Sequence, residues 1–194
     1  MQDQCLVMSG PSHAVVVSNP MSDPVIVEVE LKVKGVDEFR DKDLSLLAKP
    51  LTYSEPDSIA SVAMLFAFGH ISSSLEATIF VRVIDGSWPD CFHGQFAAHT
   101  SSIGNEKVII LYFGYGDMPI SGDGTVKIFR HVVSVEVDGK LKVSFKASNK
   151  MIAREVAFNA ARACRSYGTL HFGSCKMEVL IAWSPISPEA EPDN

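Results

Sequence analysis

The chain has 194 residues, 46% hydrophobic and 21% charged, with a formal net charge of −6 and a sequence pI near 5.5. That apolar share excludes intrinsic disorder, whose signature is low hydrophobicity with high net charge. The acidic balance repels a polyphosphate surface on average, so nucleic acid is not an expected partner.

In chain order, Met1 to Met8 lack the basic and apolar regions of a secretory signal, and Ala14 to Ser18 reads as a strand. Val25 to Lys34 carries the strongest period-two pattern. Val25, Val27, Val29, Leu31 and Val33 alternate with Ile26, Glu28, Glu30, Lys32 and Lys34, which predicts one buried and one wet face, ended by Gly35 and Asp37. Asp37, Glu38, Asp41 and Asp43 then read as an acidic loop. Ser58 fits the cap of a helix through Ala67, whereas the nearly apolar run Ile59 to Phe68 also reads as a buried strand. That run is about half of the roughly 20 residues a helix needs to cross a bilayer, so no membrane span is expected.

Alternation returns at Leu75 to Ile84, with Leu75, Ala77, Ile79, Val81 and Val83 inward, Glu76, Thr78 and Arg82 outward, and a turn at Asp85-Gly86. Strands are predicted over Phe92 to Ala98, Lys107 to Phe113, Thr125 to Phe129 and Cys175 to Trp183, with a turn at Ser121-Gly122-Asp123-Gly124. Val133, Val135 and Val137, then Asp138-Gly139, then Leu141, Val143 and Phe145 predict a hairpin closed by a two-residue turn with positive φ. Lys150 to Ala163 fits neither period cleanly and is read as a strand with an irregular ending. Many strands, many turns and few helices give an all-β fold, an antiparallel β-sandwich or partly open barrel with at most one or two short helices. Residues 1–184 are expected to form one β-rich domain and 185–194, with Pro185, Pro188, Pro192 and three carboxylates, a loose acidic tail.

Motif-marked chemistry is sparse. Gly114-Tyr115-Gly116-Asp117 lacks the third glycine and the following helix of a dinucleotide loop. The chain has no phosphate loop, nucleophile elbow or zinc helix. Cys5, Cys91, Cys164 and Cys175 are spread without a C-x-x-C pair, against a disulfide framework or zinc site and for a reducing, cytoplasmic setting. Lys150, Arg154, Arg162 and Arg165 read as a solvated surface rather than a nucleic-acid patch. Cys91 and His93, with Asp90 beside them, have the types for a thiol nucleophile or two metal ligands, but two ligands are not a site. Asp117 and Asp123 have the residue type for a calcium loop, but plain turns are the expected reading and no metal site is expected. No cofactor is expected.

The segment Gly86 to Phe96 concentrates Trp88, Phe92, Gly and Pro after a strand. Trp88, Asp90, Phe92 and His93 are therefore the candidate binding residues, either anchoring a ligand or plugging a corner of the sandwich.

LVMSGPSHAVVV at Leu6 to Val17, VIVEVELKVKG at Val25 to Gly35 and EATIFVRVIDGSWPDCFHGQ at Glu76 to Gln95 carry a resemblance. Ser121 to Gly124, Arg130 to Val143 and CKMEVLIAW at Cys175 to Trp183 extend it over nearly the whole chain. Together they resemble a plant domain-of-unknown-function family abundant in grasses. Some members of that family are attached to a ribosome-inactivating rRNA N-glycosidase domain, which implies a defence or stress setting. Here Ile152-Ala153-Arg154-Glu155 does not reproduce the Glu-Ala-x-Arg arrangement of that active site, and no glycosidase activity carries over. The family also implies strand-rich sequence ahead of the region matching Gln4 to Pro11. Its shortening predicts an unpaired sheet edge, where another chain can pair. The reading that follows is a binding or interaction module taking an unknown protein or small ligand. Its alternatives are a hydrolase built on unrecognised residues and a subunit completed by strand pairing.

Overall fold

A computed structural model describes residues 25–33, 42–51, 71, 73–89, 92–101, 107–147 and 152–186. The expected strand at Ala14 to Ser18, both readings of Ser58 to Phe68, the ending at Gly35 and Asp37, and residues Cys5, Asp90, Cys91 and Lys150 lie outside them. The chain divides into two compact units, 16–68 and the remainder.

In the smaller unit, β1 (Val25–Val33) pairs antiparallel with β2 (Lys42–Leu51), from Val25 opposite Leu51 to Val33 opposite Lys42. Ile26 and Glu28 are exposed, as the alternation requires. The second strand was not foreseen. Asp43, read as part of an acidic loop, lies in β2 opposite Lys32.

The larger unit has two four-stranded antiparallel sheets. The first runs in the order β6 (Val132–Glu136), β3 (Ser74–Asp85), β10 (Cys175–Pro185), β9 (Arg165–Phe172). The second runs β5 (Val108–Phe113), β4 (Gly94–Thr100), β7 (Lys140–Ala147), β8 (Ile152–Asn159). Neither sheet closes on itself, no α-helix occurs among the described residues, and the fold is the expected all-β sandwich. Alternation explains the core. Ala77, Ile79 and Val81 of β3, Val133 and Val135 of β6, and Met177, Val179 and Ile181 of β10 are buried from one sheet. Phe96 of β4 and Leu141, Val143 and Phe145 of β7 are buried from the other.

The structure corrects several expectations. Asp138-Gly139 does not close a hairpin, because β6 and β7 belong to different sheets. The Val137 amide still bonds Ser73 O beside the first sheet (3.1 Å), Gly139 N donates to Glu136 O (2.9 Å), and Gly139 O accepts from Ala160 N at the end of β8 (3.0 Å). The chain thus changes sheets within three residues. Gly139 is required here by crowding, since a Cβ would collide with the Glu136 carboxylate, and its φ is not positive. That carboxylate accepts from Thr100 Oγ1 of the second sheet (3.0 Å), tying the two sheets together at this end.

The strand expected over Thr125 to Phe129 reduces to isolated bridges, Arg82 with Thr125 and Ile120 with Val126. Its backbone serves both sheets, with Val126 N donating to Val81 O (2.9 Å) and Phe129 N to Ile110 O (3.0 Å), so it covers one lateral opening of the sandwich. Glu76, expected outward, is only 8% exposed and accepts from Ser184 Oγ (3.4 Å). The strand expected at Phe92 starts at Gly94, and the irregular stretch from Lys150 contains β8.

Candidate functional site

Opposite the sheet-changing end, the long connections β3 to β4 (86–93) and β5 to β6 (114–131) meet. Gly86 starts the first with φ 69°, and its missing Cβ lets the chain pass against Ser174 O in the β9 to β10 turn. Asp85 Oδ1 accepts from Gly86 N (2.9 Å) and fixes that bend. Trp88 then turns into the sandwich. Its ring stacks on Phe172 (4.9 Å between centroids, 17°) and stands edge-on to Phe113 (5.5 Å) and Phe145 (5.0 Å). Phe92 meets Phe172 edge-on (4.8 Å). Trp88 and Phe92 are 8% and 9% exposed, so both rings belong to the core. The Trp88 indole nitrogen has no hydrogen-bond partner among the described residues.

His93 is half-buried, its ring 4.3 Å from that of Tyr115 and its Nδ1 unpartnered among the described residues. No carboxylate among the described residues orients it. Of the four residues singled out in this segment, the structure brings Trp88 and Phe92 together around Phe172 and points His93 toward Tyr115 instead.

The second connection turns at Ser121 to Gly124 as expected, with Gly124 N donating to Ser121 O (2.9 Å). Asp123 Oδ1 accepts from Thr125 N (3.0 Å) and Oδ2 from Thr125 Oγ1 (3.0 Å), while Arg82 Nε donates to the Asp123 carbonyl (3.0 Å). The Thr125 amide, then its hydroxyl, hold the Asp123 carboxyl below its ordinary value, with a smaller contribution from Arg82. Both Asp123 oxygens are occupied by this turn, and Asp117 is exposed beside Gly114. No group of three or more His, Cys, Asp or Glu able to hold a metal occurs among the described residues.

Between the two connections lies an open groove of about 550 Å³. Ile84, Asp85, Ser87 and Trp88 wall one side and Ile120 and Asp123 the other, with Ile84 and Ile120 exposed.

A second feature adjoins the loops. Gln95 of β4 lies directly opposite Tyr112 of β5 and Lys146 of β7, so the three form one row on the outer face of the second sheet. Tyr112 is 65% and Tyr115 61% exposed. Sequence reasoning missed this row. Its one legible signal was Tyr112, a large ring at a solvent-facing position.

A family model described as a domain of unknown function, DUF6598, matches residues 1–181. The chain belongs to that family. No curated protein and no solved structure matches it. The DUF6598 match spans nearly all the described strands, including both loops and the Tyr112 row. No helix among the described residues is long and apolar enough to cross a membrane.

Proposed function

We propose that this domain is a binding module whose recognition surface is the loop end of the larger unit. The observation that carries the reading is the meeting of the 83–88 and 120–124 segments around an open groove with Ile84 and Ile120 exposed, above an aromatic core that fixes the loop carrying Trp88. Exposed apolar side chains beside polar backbone on a rigid support are what a recognition site needs. The resemblance to a grass-abundant family with glycosidase-linked members supports a plant defence or stress setting.

The test is a binding screen of immobilised glycans, peptides and small metabolites with the full chain, repeated with Ile120→Lys in the groove wall and Asp138→Lys at the opposite end. Binding that Ile120→Lys or a change in the Tyr112 row weakens, and Asp138→Lys leaves intact, is the expected result. A blank screen, or loss on Asp138→Lys alone, contradicts the reading.

A further inference from the structure

We infer that the corner formed by Tyr112, Tyr115, His93, Gln95 and Lys146 binds a carboxylated polysaccharide, with pyranose rings against the tyrosines and a uronate carboxylate on Lys146. The inference rests on the loop-end reading and adds a ligand class to it.

Register fixes the geometry. Tyr112 and Lys146 flank Gln95 on adjacent strands, which places them two strand spacings, about 10 Å, apart on a pleated face. His93 precedes Gln95 by two residues and holds the ring of Tyr115 at 4.3 Å, which steadies the second aromatic surface at the edge of the row. The polar tips are unengaged. Among the described residues no hydrogen bond reaches the Tyr112 or Tyr115 hydroxyl or the Gln95 amide, and Lys146 makes no ion pair, whereas neighbouring Lys142 is matched by Glu155 (3.4 Å).

The ligand class follows from that inventory. Exposed aromatic rings offer flat apolar surface, an amide offers a donor and an acceptor to hydroxyls, and an unmatched ammonium selects a carboxylate. The row itself carries no carboxylate. A peptide adding as a strand would pair along the backbone edge of β5, whereas the row lies across the outward face of β5, β4 and β7, where side chains rather than backbone groups are presented. Nucleic acid places one charge on about every 1.7 Å of duplex and meets the repulsion of a −6 chain. A polyuronate, with one charge per sugar, meets less of it, and screening over roughly 8 Å at physiological salt leaves the local Lys146 charge to act.

Isothermal titration of the full chain with polygalacturonate is the test, with its fully methyl-esterified form, poly-glutamate and oligothymidylate as comparators. Polygalacturonate is expected to bind, more weakly as salt rises. Tyr112→Ala and Lys146→Ala should each lower its affinity about tenfold or more, Tyr112→Phe, which keeps the ring, should lose less than Tyr112→Ala, and Asp138→Asn at the opposite end should leave it within about threefold. Equal binding of the ester, of poly-glutamate or of oligothymidylate would overturn the inference, as would unaltered affinity in Tyr112→Ala and Lys146→Ala. If polygalacturonate fails while another ligand binds in an Ile120-dependent way, the ligand class falls and the loop-end module stands.

Discussion

The two ends of the larger unit are built to different rules. At the sheet-changing end, three residues carry the chain from β6 to β7, and their polar groups are consumed by structure: Val137 N by Ser73, Gly139 N by Glu136, Gly139 O by Ala160 and the Glu136 carboxylate by Thr100. At the loop end, connections of 8 and 18 residues (86–93 and 114–131) run over an aromatic core and leave Tyr115 and Ile120 open to solvent, beside the exposed Tyr112 of β5. A connection that must join two sheets over a short span has no freedom to vary. One laid over a rigid platform can present chemistry without destabilising what lies beneath it.

The sharpest way to break this contrast is Trp88→Ala. If the loop end rests on that ring, removal should cost about 3–5 kcal/mol, read as a lower urea midpoint at unchanged m-value. A loss below about 1 kcal/mol would show that the ring is not part of the core.

At the opposite end, Gly139→Ala forces a methyl against Glu136 and should cost about 1–3 kcal/mol. Thr100→Val removes the hydroxyl donor from the Glu136 carboxylate, with an expected cost of about 1–3 kcal/mol. Chemical denaturation reads both, and near-neutral results would mean that this end is not tightly determined.

Tyr115→Ala, by contrast, should stay within about 0.5 kcal/mol of the parent in the same assay, since its ring is mostly exposed. A larger loss would make Tyr115 a structural rather than a recognition residue.

The smallest effect concerns Asp123. Its folded-state pKa lies below the ordinary carboxylate value, so its contribution to the turn is complete above the unfolded-state pKa and fades as pH falls through the folded one. Carboxyl titration by NMR should place the Asp123 midpoint below the ordinary aspartate value. A midpoint at or above the ordinary value would mean that the Thr125 hydrogen bonds are not formed in solution.

Much of the fold was legible because alternation alone assigns faces. VIVEVELKVK gave β1 with Ile26 and Glu28 outward, the Leu75 to Ile84 run gave β3 with Leu75, Ala77, Ile79 and Val81 buried, and CKMEVLIAW gave β10. The Asp-Gly signal misled for a reason already present in the sequence. A two-residue loop at Asp138-Gly139 pairs Val137 with Lys140, Val135 with Lys142 and Val133 with Ser144, which sets valines beside lysines on one face. Because the apolar residues keep the same parity on both sides of the turn, that register was excluded. Changing sheets lets both runs face one core.

Other features depend on long-range partners. Glu76 is buried beside Ser184, 108 residues away, and no local pattern marks it. The segment KDLSLLAKPL lacks regular alternation and contains Pro50, so β2 emerges only through its pairing with β1. The Tyr112, Gln95 and Lys146 row comes from three strands whose register no single segment specifies, although Trp88, Phe92 and His93 did mark the adjoining loop.

The sheet change between β6 and β7 is what separates the two ends, and cross-strand NOEs from the 132–136 backbone test it most directly. The account predicts contacts of Val133 with Ala77 and of Val135 with Leu75, together with Val143 to Ala98 in the other sheet. Cross-strand contacts between residues 132–136 and 140–144 in place of these would contradict it.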